Sequence, residues 1–321
     1  MAPKIIYLEN ETLSFLLPRG SLILCSCTLA IVLLSNVLER WLLAKLYQII
    51  WKDLSLGRNE RRRRSFTYFH IGVTIMLILV LFGAYPVFDF LVGHARVSST
   101  LHRNVTYGDY MFVLSHVYSA YYIFEVCFRT RFASAISIAH HIGLLIVIQT
   151  TLTLFGDLRK YPEAILEFYM CMVWGSFDVV VELPLYTFMI IWRVKANDHH
   201  LLSRMAYACC VWVLLGATVE TAVTIWLLKS SWHRWGTSCR ILLPLVFSLW
   251  ICTQLYGAFR IFGMAQSKAR LASTRSGITE DCDREIAEAT GYRKSHSSEA
   301  HDQVTQFQES TNPERQRFPM L

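Results

Sequence analysis

The sequence predicts an all-α fold: a polytopic membrane bundle of about seven transmembrane helices. Three observations predict it. Of the 321 residues, 54% are hydrophobic and only 17% are charged, whereas a soluble domain carries about a quarter charged residues. The apolar residues fall in runs near the roughly twenty needed to cross a bilayer. Lys and Arg concentrate in alternate segments between those runs, the pattern that membrane insertion leaves in a sequence.

The crossings are expected near 21–45, 69–92, 109–128, 134–155, 163–192, 205–228 and 241–263. Residues 1–20 form an N-terminal segment, and the first helix extends over 21–50, acting as an insertion signal that stays in place. The fifth crossing is long, so it is expected to tilt, to kink at Pro184 or to run past the hydrocarbon. The stretch 266–321 is polar, rich in Ser, Glu, Gln and Arg, and too poor in apolar surface to fold alone. It reads as a disordered tail with a short helix near 279–290.

Sidedness follows from the basic residues. The segments 51–65, 128–133, 193–204 and the tail after 263 hold 19 Lys and Arg, against 9 in the alternate set. The positive-inside rule then places 51–65 and the C-terminus in the cytosol and the N-terminus on the lumenal side. Two glycosylation sequons, Asn10-Glu11-Thr12 and Asn104-Val105-Thr106, fall on that same lumenal side. The basic pI of about 8.9 therefore records orientation and does not point to nucleic acid. Nine scattered cysteines lack zinc-ligand spacing, so neither a metal cluster nor a disulfide framework is expected.

The candidate site lies in the ionisable groups within the apolar runs. Each costs about 2.5–3.5 kcal/mol at a helix centre on insertion scales, and such groups usually face a bundle interior or a wet cavity. His140 and His141 lie in the fourth crossing, Asp178 and Glu182 in the fifth, His116 and Glu125 in the third and Glu220 in the sixth. At about 1.5 Å per residue, these groups occupy a slab from the cytosolic boundary to somewhat past the midplane. Asp178 and Glu182 are one turn apart and share a face. Tyr118, Tyr121 and Tyr122 share a face of the third crossing, as cavity lining or as packing. His140 and His141 diverge by about 100°, so one of the two points squarely at the shared chamber. A histidine there can take a proton from a hydroxyl or amine while a carboxylate orients the ring. The alternative is a hydrogen-bonded scaffold that holds helices together.

The stretch Tyr121-Tyr122-Ile-Phe-Glu125 through Arg129 to His140–His141 resembles the TLC-domain family, which includes the translocating-chain-associated membrane (TRAM) proteins and the ceramide synthases. The basic run Arg61–Arg64 with the Ser65- and His70-bearing span that follows, the Asp178-Val-Val-Val-Glu182 segment, Gln254-Leu-Tyr256 and Arg260 are also similar. The resemblance covers residues 60–265 and implies a six-helix domain preceded by one extra N-terminal helix. One departure matters: Trp174–Gly175 stand where ceramide synthases carry a second His-Asp pair. The chain is thus closer to the non-synthase members.

The resemblance implies a multi-pass protein of sphingolipid or phospholipid homeostasis in the endoplasmic reticulum, with membrane lipids as partners and self- or hetero-association open. If it is an enzyme, it performs acyl transfer or hydrolysis. Acyl-CoA would then be co-substrate, His141 or His140 the base or nucleophile and Asp178 the orienting acid. Glu182, His116, Tyr121, Glu125 and Glu220 would line the substrate site, with no metal or resident cofactor. The alternatives are a TRAM-like structural or chaperone partner and, more remotely, a seven-span receptor. Against the receptor stand the absence of a lysine in the seventh span and of an Asn-Pro-x-x-Tyr box.

Overall fold

Backbone groups in hydrocarbon have no water to bond to, so an apolar chain that stays in the membrane must close its hydrogen bonds within helices or barrels. This chain uses helices. The structure, a computed structural model, describes residues 13–55, 60–129, 135–155 and 164–295. The Asn10 sequon, the segment 156–162, the Arg129 side chain and the tail beyond 295 lie outside what it describes.

The helices are α1 (Gly20–Val37), α2 (Leu43–Leu46), α3 (Gln48–Ser55), α4 (Glu60–Leu91), α5 (Tyr107–Arg129), α6 (Ala135–Leu154), α7 (Ala164–Val194), α8 (His199–Ser231) and α9 (Thr237–Ser295). Six stretches are long and apolar enough to cross a membrane: Leu17–Leu46, Arg62–Leu91, Tyr107–Phe128, Ala164–Val194, His199–Ser231 and Arg240–Thr274. A seventh apolar stretch, Ile138–Leu154, is shorter. These features fit an integral membrane protein built as an all-α bundle.

Two elements differ from expectation. The first crossing is not one regular helix: a π-helical turn over Leu38–Leu42 separates α1 from α2, and Tyr47 leaves helical geometry at φ −120°, ψ 45° before α3 begins. The tail also carries more helix than the short stretch expected near 279–290, because α9 continues to Ser295. Its sequence past the membrane, Ala-Gln-Ser-Lys-Ala-Arg-Leu-Ala, is made largely of good helix formers with no proline to stop it.

The fifth crossing is a single helix through Pro184. A proline at position i deprives the carbonyl at i−4 of its partner, here Val180. The indole Nε1 of Trp212 on α8 donates to that oxygen at 3.1 Å. The same device serves α4: Pro86 strands the Phe82 carbonyl, and the Tyr110 hydroxyl of α5 donates to it at 3.1 Å. In both cases a neighbouring helix supplies the hydrogen bond that the proline removed.

Packing runs α1 on α5, α4 on α5 and α7, α7 on α8, and α8 on α9, with α6 touching α5, α7 and α9. Two ends of the bundle are pinned by long-range bonds. At one end Tyr169 donates to the Leu91 carbonyl at 2.7 Å and Ser14 donates to Asp109 at 2.5 Å. Asp109 also closes a capping box at the start of α5, accepting from the Thr106 N–H while Thr106 Oγ1 accepts from the Asp109 N–H. A two-stranded hairpin, β1 (Thr100–His102) and β2 (Val105–Thr106), leads into that box, with Arg103 at φ 49° in its turn. At the opposite end Arg193 donates to Ser65 at 2.9 Å, Arg63 pairs with Glu39 at 3.2 Å and Lys268 donates to the Ala196 carbonyl at 3.0 Å. Three of the segments counted as basic, 51–65, 193–204 and the start of the tail, thus share one end.

Candidate intramembrane polar site

Three helices bring phenols and acids together in the bundle interior. Tyr68 comes from α4, Tyr118, Tyr121, Tyr122 and Glu125 from α5, and Asp178, Glu182 and Tyr186 from α7. Helical spacing explains the grouping: Tyr118, Tyr121, Tyr122 and Glu125 are three or four residues apart in sequence, as are Asp178, Glu182 and Tyr186. Tyr68, Tyr121 and Tyr122 are fully buried, and Glu125 is 1% exposed.

The bonds form two neighbouring groups. Tyr68 donates to Glu125 Oε1 at 2.5 Å, and its hydroxyl lies 3.1 Å from that of Tyr121 and 2.8 Å from that of Tyr186. Tyr121 donates to Tyr186 at 3.2 Å, and Tyr186 donates to Glu182 Oε2 at 2.8 Å. His141 enters from α6, its Nε2 lying 3.2 Å from Glu125 Oε1. A second branch centres on Asp178, whose Oδ2 accepts from Tyr118 at 2.5 Å and from Tyr122. The Tyr122 ring lies 4.9 Å from the His141 ring, so the two groups meet by ring contact.

One glycine makes the junction physically available. A Cβ on Gly72 of α4 would sit 2.6 Å from Tyr186 Cδ2 and 3.1 Å from the Tyr121 hydroxyl. Only the missing side chain lets the Tyr186 ring lie across α4 and deliver its hydroxyl to Tyr68 and Tyr121.

The remaining candidate residues divide. His140 turns away from the tyrosine system toward α9, where its ring lies 4.2 Å from that of Trp250 and its Nδ1 is 3.4 Å from Thr253 Oγ1. Glu220 accepts from Gln254 Nε2 at 2.7 Å and is within electrostatic reach of Asp178. His116 joins neither group: its Nδ1 bonds the Phe112 carbonyl at 2.8 Å, and its ring sits against α1 at Gly20. Trp174, at the departure from the ceramide-synthase pattern, is 1% exposed. It donates to Thr224 Oγ1 at 3.0 Å and stacks on Phe247 at 5.8 Å.

Sequence reasoning missed Tyr68, Tyr186, Trp250 and Thr253. Tyr186 was within reach, since it lies four residues past Glu182 on the same face. Tyr68 was not, because nothing in its neighbourhood sets one aromatic apart from Phe66 and Phe69.

Chemically, the tyrosine system can hold and pass a proton. Glu125 and His141 form a carboxylate–imidazole pair, and three phenol hydroxyls in series link Glu125 to Glu182. Among the described residues, no group of three or more His, Cys, Asp or Glu is placed to hold a metal ion. No family model, curated protein or solved structure matches this chain.

Proposed function

We propose that this chain is a membrane protein of lipid homeostasis that binds an acyl-bearing lipid in its helical bundle, with the His141–Glu125 pair as its proton-transfer centre. The observation that carries the reading is the 3.2 Å contact between His141 Nε2 and a carboxylate that is itself 1% exposed. A scaffold needs hydrogen bonds, but it does not need an imidazole and two carboxylates on one phenol-linked system with a third carboxylate beside it, given what each group costs in lipid. In acyl transfer, His141 would take the proton of an incoming hydroxyl or amine as its oxygen or nitrogen attacks the acyl carbonyl. The thiolate of an acyl-CoA donor would leave and recover the proton, with Glu125 stabilising the imidazolium in between. Residence in the endoplasmic reticulum, with the N-terminus lumenal and the C-terminus cytosolic, belongs to the same proposal.

The test compares wild-type protein with His141→Ala and His140→Ala, expressed at equal abundance. Lipids that co-purify in mild detergent and the cellular phospholipid and sphingolipid profile are read by mass spectrometry. His141→Ala should shift both several-fold, and more than His140→Ala, because it is His141 Nε2 that lies 3.2 Å from Glu125 Oε1. Unchanged bound lipids and an unchanged profile in His141→Ala would remove the proposal.

A further inference from the structure

The hydrogen bonds around Glu125 form a chain with one sealed end and one open end. At the sealed end Glu125 Oε1 faces two groups, His141 Nε2 at 3.2 Å and the Tyr68 hydroxyl at 2.5 Å, and Glu125 is 1% exposed. At the other end Glu182 Oε2 accepts from Tyr186 at 2.8 Å. Glu182 is half-buried, whereas Glu125 and Asp178 are buried. A proton that leaves the His141–Glu125 pair along these bonds therefore ends on the acid with open surface.

The placement of hydrogens favours that course. Each phenol carries one hydrogen and can also accept. Tyr68 gives its hydrogen to Glu125 and Tyr186 gives its own to Glu182, so the Tyr68 oxygen is able to accept. When the imidazolium of His141 passes a proton to Glu125 Oε1, the carboxylic acid so formed donates to the Tyr68 oxygen. The Tyr68 hydrogen turns to Tyr186, 2.8 Å away, and the Tyr186 hydrogen moves onto Glu182. Each oxygen releases one hydrogen as it receives another, so a tyrosinate, a charge costly in lipid, is never formed. One proton is lost by His141 and one is gained by Glu182; uptake runs the same bonds in reverse.

A second course from Tyr68 passes through Tyr121, which lies 3.1 Å from Tyr68 and donates to Tyr186 at 3.2 Å. Both courses begin at Tyr68 and end at Tyr186, so Tyr121 can be bypassed and the other two cannot. The Asp178 group closes on itself: Tyr118 and Tyr122 donate to the same Oδ2, and their hydroxyls lie 2.9 Å apart.

We propose that Tyr68 and Tyr186 relay protons between the His141–Glu125 pair and Glu182, and that Glu182 is the acid at which the site exchanges protons with its surroundings. The inference rests on the reading of that pair as a proton-transfer centre, and it adds the route by which the pair is recharged. Glu182 becomes a proton acceptor instead of a lining residue. A purely structural network would bury the same hydroxyls, so the test compares removals that are alike in packing and differ in position along the chain.

The test uses full-length protein in phosphatidylcholine nanodiscs, with protons released by a laser flash from a photolabile nitrophenylethyl sulfate in the aqueous phase. Time-resolved infrared spectroscopy follows two events. One is uptake at Glu182, read as the carboxyl band lost in Glu182→Gln. The other is arrival at the pair, read as the carboxyl band lost in Glu125→Gln or the imidazolium band lost in His141→Ala. Uptake at Glu182 should come first. Tyr186→Phe and Tyr68→Phe should leave that step unchanged and slow arrival at the pair by an order of magnitude or more. Tyr121→Phe, which removes a fully buried hydroxyl as Tyr68→Phe does, should slow it far less, and Tyr118→Phe should not slow it. Arrival at the pair ahead of Glu182, an unchanged rate in both Tyr186→Phe and Tyr68→Phe, or equal slowing in Tyr121→Phe and Tyr186→Phe would each overturn the relay while leaving the pair as a proton-transfer centre. No uptake at the pair under any condition removes the centre itself, and the relay with it.

Discussion

At the scale of single residues, Asp178 shows how a carboxylate becomes tolerable in this environment. It is 5% exposed and takes hydroxyl hydrogens from Tyr118 and Tyr122, so water is replaced by two fixed donors. Substitution separates its two contributions. Asp178→Ala strands both phenol hydroxyls and should destabilise the detergent-solubilised protein by about 1–3 kcal/mol. Asp178→Asn keeps an acceptor oxygen and should cost less than half as much, while still removing the charge. Thermal unfolding of the two variants checks the order, and equal midpoints would show that the two phenols do not depend on this acceptor. The residue was legible in the sequence because an acid in an apolar run is conspicuous. Its donors were legible only in part: Tyr118 and Tyr122 shared a helix face, but a shared face does not say whether it meets lipid, a cavity or another helix. The split of the histidine pair was foreseeable as a 100° divergence. Which of the two would meet Glu125 depends on the rotation of α6, and the sequence does not encode that locally. The mean apolarity of α6 is high all round, so no polar stripe announces its buried side.

At the scale of elements, the prolines tell most about how this bundle keeps its backbone satisfied. Pro184 and Pro86 each remove one hydrogen bond, and Trp212 and Tyr110 each return it from the adjacent helix. The fifth crossing could be read as long and interrupted, but not as repaired, because the repairing indole sits 28 positions further along the chain. The arrangement makes a specific double-mutant expectation. Trp212→Phe should lower stability by roughly 0.6–2 kcal/mol, the range for interhelical bonds in membranes. Pro184→Ala gives the Val180 carbonyl a backbone partner of its own, so Trp212→Phe should cost measurably less in that background. Additive losses in thermal unfolding would show that the indole acts through packing alone. Other element-level features resisted reading for a similar reason. The π-helical turn at Leu38–Leu42 and the bend at Tyr47 occur in a run of ordinary helix formers. Tyr47 there packs on Phe66 at 5.1 Å and lies 3.2 Å from His70 Nε2, contacts made by distant parts of the chain.

At the scale of the whole molecule, the charge count and the three-dimensional pairing of ends are independent, and they agree on which segments belong together. The Arg193–Ser65, Arg63–Glu39 and Lys268–Ala196 contacts place 39, 63–65, 193–196 and 268 at one end. The Asp109–Ser14 and Tyr169–Leu91 contacts place 14, 91, 109 and 169 at the other. Which end meets the cytosol is then a single binary quantity, and the excess of basic residues at the first end is the ground for proposing that it is the cytosolic one. The assignment can be checked with two exposed positions, one at each end: Asn104 in the hairpin turn and Lys195 after α7. In a cysteine-depleted chain, Asn104→Cys should resist a membrane-impermeant maleimide in sealed microsomes and react once detergent opens them. Lys195→Cys should react in both conditions. The reverse pattern would invert the topology and carry the tyrosine system into the lumenal half of the bilayer. A cytosolic acyl-CoA could not reach His141 from there, so the same labelling decides whether the proposed donor has access to the proposed base.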